Sequence, residues 1–142
     1  KIRKELEPFC FKIDFAGDIA KELSEVVSIC LFCIPKRTSS GDFHPMFVDF
    51  LFSQGAILTE HVNKLSTHIE IMNFKADIIH IFIPHEKQYY YELVKHDAGR
   101  LFMLQIDMAM EGKKDLDQSK LATEYNFFEA VGAKWVPVKN RN

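Results

Sequence analysis

One stretch of the chain governs any assignment of fold. Between Pro45 and Pro84, Phe47, Leu51, Gln54, Leu58, Val62, Leu65, Ile69, Met72, Ala76, Ile79 and Ile83 follow in steps of four and three, and only Gln54 is polar. A second row, Met46, Phe50, Ile57, His61, His68, Ile71, Ile78 and Phe82, widens the stripe. Apolar side chains at those steps line one face of an α-helix. Pro45 suits a first helical position and Pro84 stops the run. The pattern therefore predicts a single rod of about 39 residues and roughly 58 Å, with Gly55 as its weak point.

The flanking segments are read against that rod. Phe9, Phe11, Ile13 and Phe15 alternate with Cys10, Lys12 and Asp14, which predicts an extended arm laid along something apolar. From Asp18 the period changes. Ile19, Leu23, Val26, Val27, Cys30, Leu31 and Ile34 predict a helix capped by Asp18 and stopped by Pro35. A third helix is expected from about Glu86 to Met110, with Gly112 as its stop. A short last helix carries Leu121, Tyr125, Phe128 and Val131 and closes at Gly132. The expected fold is all-α: an antiparallel bundle of four to five helices around one long central helix, in a single domain spanning 1–142. Residues 1–17 would form the extended arm and 133–142 an irregular tail.

Composition narrows the function classes. Of 142 residues, 47% are apolar and 27% charged, and the net charge is −2. That is a globular balance, and it argues against a partner held by a general basic field, so no nucleic acid is expected. No run of about 18 apolar residues is present to span a bilayer. Of the six histidines, His61 and His68 would stand two turns apart on the rod, too far to share an ion. His85-Glu86-Lys87-Gln88-Tyr89 begins like a zinc-protease motif but has Tyr in place of the second His. Cys30 and Cys33 have C-x-x-C spacing at a helix C-terminus, where the dipole does not favour a thiolate, so they read as packed thiols. The redox state of these two and of Cys10 is open. His96, Asp97 and Arg100 read as a solvated helix face. No catalytic residue, cofactor or metal site is read, and a non-enzymatic protein is expected.

Phe alone contributes 13 of the aromatic side chains, more large apolar groups than a small bundle readily buries. The candidate membrane or partner surface is Phe9, Phe11, Phe15, Phe43, Phe52, Tyr89 and Tyr91, with the basic spots Lys36, Arg37, Lys113 and Lys114. An arm folded back over the bundle is the alternative.

Ile106-Asp107-Met108-Ala109, the terminal Val136-Pro137-Val138-Lys139 and Thr67-His68 at its distance from that end resemble the abalone sperm lysin family. The order of elements read above is similar too. Lysins are strongly basic, whereas acids here outnumber bases, 20 to 18. The likeness is therefore to the acrosomal fertilisation branch of that family. The resemblance implies secretion from the sperm acrosomal vesicle and non-enzymatic fusion of sperm and egg membranes. Its partner would be egg plasma-membrane lipid or an egg-surface receptor, with a homodimer left open. The alternative it implies is stoichiometric dissolution of the egg vitelline envelope. The start at Lys1 fits a cleaved signal peptide or a trimmed N-terminus.

Overall fold

The computed structural model describes residues 2–25, 28–55, 57–63, 66–72 and 78–142; residues 2, 57–63, 66 and 72 are described by their backbone only. The chain runs α1 (Ile2–Leu6), β1 (Cys10–Ala16), α2 (Gly17–Ala20), β2 (Ile29–Pro35), α3 (Pro45–Ser53), β3 (Ile57–Asn63), β4 (Ser66–Met72) and β5 (Ile78–Ile83). Helices α4 (Tyr89–Asp97), α5 (Arg100–Ala109) and α6 (Glu124–Val131) follow. The strands form one five-stranded mixed sheet in the order β1-β2-β5-β4-β3. β2 and β5 are parallel, and the other neighbours are antiparallel.

Alternation along the strands divides the core into two layers. One face presents Leu31, Cys33, Ile69, Ile71, Ile79, Ile81 and Ile83, covered by Leu6 of α1 and by Phe47 and Leu51 of α3. The opposite face presents Ala16, Cys30, Phe32 and Ile34. These pack beneath Tyr89, Tyr90, Leu93 and Val94 of α4, Phe102, Met103 and Ile106 of α5, and Phe127, Phe128 and Val131 of α6. On that second face the apolar cover stops at β2. Further across, β5 and β4 place His80, Phe82, His68 and Glu70, all only half-buried.

The all-α bundle is overturned by this sheet. The long rod does not form: helix lasts from Pro45 to Ser53 only, and the rest of the stretch supplies three strands. Steps of four residues return to the same face of a strand as well as of a helix, so much of the series fits both geometries. What separates them is Ile71 between Ile69 and the paired end of β4, and Ile81 between Ile79 and Ile83. Both lie on the face that a period of two selects. Ile, Val and Thr crowd residues 57–83, and their stiff branched side chains suit a pleated surface.

The second expected helix is likewise reduced to α2, and Ile29–Pro35 is a strand. Its continuous apolar run has no polar side because both of its faces are covered. The N-terminal segment is extended over Cys10–Ala16, but as β1 hydrogen-bonded to β2 rather than as an arm on helices, and α1 precedes it. The third helix divides into α4 and α5 at Ala98 and Gly99, while α6 ends at Gly132. Val26, Val27, Leu65 and Ala76, which carried part of the helical reading, lie outside the described residues.

Candidate functional site

The half-covered part of the sheet carries the most chemistry. On β4, His68 and Glu70 alternate with Ile69 and Ile71; on β5, His80 and Phe82 alternate with Ile79, Ile81 and Ile83. The antiparallel register sets Glu70 opposite His80 and His68 opposite Phe82. Three donors therefore converge. His80 Nδ1 lies 3.0 Å from His68 Nε2 and 3.7 Å from Glu70 Oε1, and the three ligand atoms all lie within 4.8 Å of one another. Donors around a tetrahedral zinc ion, bonded at about 2.0–2.1 Å, stand roughly 3.3 Å apart, so the spacing needs only small side-chain adjustments to close on an ion. Two imidazoles and a carboxylate suit Zn²⁺, Co²⁺ or Fe²⁺ and are poor ligands for calcium. Three protein donors also leave coordination positions open. Phe82 fixes the first ring: it stacks on His68 with centroids 4.3 Å apart and planes at 11°.

A separate groove of about 500 Å³ is lined by Phe32, Phe82, Pro84, Glu92, Lys95 and His96 among others, with none of the three donors in its wall. Phe32 and Phe82 stack at 5.1 Å, and His96, near the end of α4, meets the edge of Phe32 at 5.4 Å. Asp97 backs His96. Its carboxylate accepts from His96 Nδ1 at 3.1 Å and from the Gly17 backbone N–H at 2.8 Å, with Lys21 Nζ at 4.0 Å. The Asp97 bond, helped by one to the Cys30 thiol, pushes the His96 imidazole up to about 9, against the opposing effect of burial. Burial would raise the Asp97 carboxyl, but its bonds to His96 and Gly17 and the nearby cations hold it low. Gly17 has φ +67°, and a Cβ there would stand 3.3 Å from Cys30 Sγ. Only glycine combines that backbone with so close an approach.

The residues singled out from sequence are dispersed. Tyr89 is fully buried, its hydroxyl donating to Asp14 at 2.7 Å, so it belongs to no outer surface. Tyr91 is half-buried; its hydroxyl donates to Asp107 at 2.6 Å, and burial with that bond pushes it up to about 12. Tyr91 shares a groove with Lys114. Phe9 packs on Phe50 at 5.9 Å, and Phe15 lies under the Arg3 guanidinium at 5.3 Å. Phe43 sits between Phe47 and the Arg37 guanidinium, and Arg37 also pairs with Glu86 at 3.4 Å. Lys36 and Lys113 are exposed. Of these candidate rings Phe11 and Phe52 face solvent, at 72% and 71% exposure. Leu101 and Met108, whose spacing reads as part of the third helix's apolar phase, instead form an exposed stripe along α5 with Leu104.

Sequence reading did not assemble the donor triad. On a helix, His68 and His80 would be three turns apart, and the expectation of no metal site rested on that helix. His61, weighed with His68 there, falls on β3, and His44 and His85 each accept a hydrogen bond from a backbone N–H two residues on. The available signal was His68-Ile69-Glu70-Ile71 followed by Ile79-His80-Ile81-Phe82, two alternating strings whose polar members share a face. Among the described residues no helix is long and apolar enough to cross a membrane. Compared with known proteins, the chain matches no family model and no curated protein.

Proposed function

We propose that this protein binds one first-row divalent metal ion, with Zn²⁺ as the best fit, through His68, Glu70 and His80 on the half-covered face of the sheet. One observation carries this reading: His80 Nδ1 stands 3.0 Å from His68 Nε2 and 3.7 Å from Glu70 Oε1. A solvated sheet face does not ordinarily aim two imidazoles and a carboxylate at one point. When bound, such an ion supplies a Lewis acid for an oxygen ligand. The chain's own residues orient the donors: Phe82 holds the His68 ring by stacking on it.

The test is a titration of Zn²⁺ or Co²⁺ into chelator-treated protein. One equivalent should bind. A free ion at 100 times its dissociation constant stabilises the fold by about 2.7 kcal/mol, or roughly 9 °C in Tm for a chain of this length. His80→Ala should remove that gain. Equal gains in wild type and His80→Ala, or none in either, would overturn the reading.

A second reading is favoured by the exposure of Phe11 and Phe52. In it the chain acts without catalysis at a membrane or egg-surface partner, the role that the fertilisation resemblance implies. That resemblance carried a helical bundle with it, so in this fold the reading rests on exposed rings alone. Phe11→Ser with Phe52→Ser should then abolish dye release from anionic vesicles, and a wild-type protein inert to such vesicles would eliminate it.

A further inference from the structure

We propose that this protein forms an antiparallel homodimer through helix α5, with Leu101, Leu104 and Met108 of one copy seated on the same stripe of a second; the proposal is independent of the metal reading above. One side of α5 carries Phe102, Met103 and Ile106 into the core beneath α4 and α6. The opposite side is not a polar one. Leu101, Leu104 and Met108 stand 71%, 52% and 74% exposed, where a helix packed only on its own domain carries charged and polar residues. Their steps of three and then four residues are those of a coiled-coil seam, in which each side chain fits a hole on a facing helix. The stripe thus has the geometry to receive a helix.

Charge selects the second copy and its direction. At about 100° of rotation per residue, Arg100, Asp107 and Glu111 fall on one flank of the stripe. Arg100 opens the helix, and Glu111 follows its last turn, with its N–H donating to the Met108 carbonyl at 3.2 Å. Both are exposed, and neither joins an ion pair among the described residues. A two-fold axis across the helices near Leu104 brings the same flank of both copies together and reverses its order. Leu101 then faces Met108 of the second copy, and the two Leu104 side chains meet at the axis. Arg100 lies between Asp107 and Glu111 of the second copy, at both ends. A parallel copy would instead set Arg100 against Arg100 and Glu111 against Glu111. Two acids to one base on the flank also disfavour an anionic bilayer as the cover of this face. A contact through one helix of 10 residues buries less than the roughly 1,200 Å² at which standard interfaces begin. The dimer is therefore weak, with a dissociation constant on the order of 100 μM.

Sedimentation equilibrium tests this, with chelator present so that no metal ion bridges two copies. From about 5 to about 500 μM, the average mass should rise from the 16.5 kDa of one chain toward twice that value. At the low micromolar end, where denaturation is measured, the chain is monomeric. Leu104→Glu should remain a monomer throughout, with an unchanged circular dichroism spectrum to verify its fold. Arg100→Glu and Glu111→Arg each place like charges together at both ends of the seam, and each should weaken association about five-fold or more. Carrying both changes should restore association to within about two-fold of wild type. Should Leu104→Glu fail to fold, the charge variants decide alone. A wild type that stays monomeric, a dimer indifferent to Leu104→Glu, or charge reversals without effect or without rescue would overturn the proposal. A monomer that instead binds phosphatidylcholine vesicles through Leu104 would also overturn it and assign the stripe to a lipid surface.

Discussion

Replacing Asp97 by Asn tests the electrostatics of the groove wall quantitatively. His96 stands at about 9, against 6.5 for an unperturbed imidazole, with the Asp97 hydrogen bond as the largest cause. At about 1.36 kcal/mol per unit, a displacement of that size corresponds to at most about 3.4 kcal/mol. The His96 side chain remains 27% exposed, and solvent screening reduces the figure to roughly 1–2 kcal/mol. The sign follows from the direction. A group whose folded pKa lies above its unfolded value contributes its full stability below the unfolded pKa and loses it as pH rises through the folded one. The contribution should therefore be complete near pH 6, decline between 6.5 and 9, and be absent near pH 10.

Asn at position 97 keeps an oxygen for the Gly17 N–H but no charge for His96. Urea denaturation of both proteins at pH 6, 8 and 10 measures the difference. With a denaturant slope of about 2 kcal/mol/M, the midpoints should differ by about 0.5–1 M at pH 6 and converge at pH 10. The His96 ring proton, followed by NMR, should titrate near 9 in wild type and well below that in the variant. A midpoint difference that is constant from pH 6 to 10, or a wild-type ring titrating near 6.5, would refute the reasoning.

Three further substitutions probe the same framework. Gly17→Ala forces a side chain into φ +67° and toward Cys30 Sγ; it should cost about 1–2 kcal/mol in urea and shift the His96 resonance, since the Asp97 anchor moves with it. Ile81 is fully buried at the centre of the apolar face, so Ile81→Ala should cost about 2–5 kcal/mol. Leu104→Ala, on the exposed side of α5, should stay within about 0.5 kcal/mol of wild type by the same denaturation measurement.

The contrast between the two halves of the chain explains what sequence makes legible. In α4, α5 and α6 one side meets the sheet and the other meets water, and the buried set Leu93, Val94, Phe102, Ile106, Phe128 and Val131 shows the helical period directly. Strand β2 is covered on both faces, so the polar side that would reveal a period of two is missing, and on β5 the half-covered face carries a large apolar residue beside His80. Phe82 is the clearest instance. It occupies a position on the polar face of β5, and its size let it join a helical row. The donor triad fails to emerge for a different reason. Its members alternate correctly on two strings, but the register that puts Glu70 opposite His80 is a pairing between strands, which a one-dimensional period does not encode.

The C-terminal tail fastens the chain where α4 ends. Arg141 is 2% exposed; its Nε donates to the Val136 carbonyl at 2.7 Å, its guanidinium pairs with Glu124, and it lies over Phe128 at 4.9 Å. The Arg141 carbonyl in turn accepts from the Gly99 N–H at 2.6 Å, two residues beyond Asp97. The chain thus leaves α4 where the tail holds it, and α5 starts anew at Arg100. Arg141→Ala leaves Glu124 without its cation, which for a partly exposed acid should cost about 3 kcal/mol, at the low end for breaking such pairs. Gly99→Ala attacks the same joint from the other side, since its Cβ would stand 2.5 Å from the Asn142 carbonyl carbon. If the tail positions the wall, both variants should displace the His96 ring resonance while Co²⁺ affinity is retained. Destabilisation by Arg141→Ala with an unmoved His96 resonance would show that the tail supports α6 alone and that the break between α4 and α5 is set within the helices themselves.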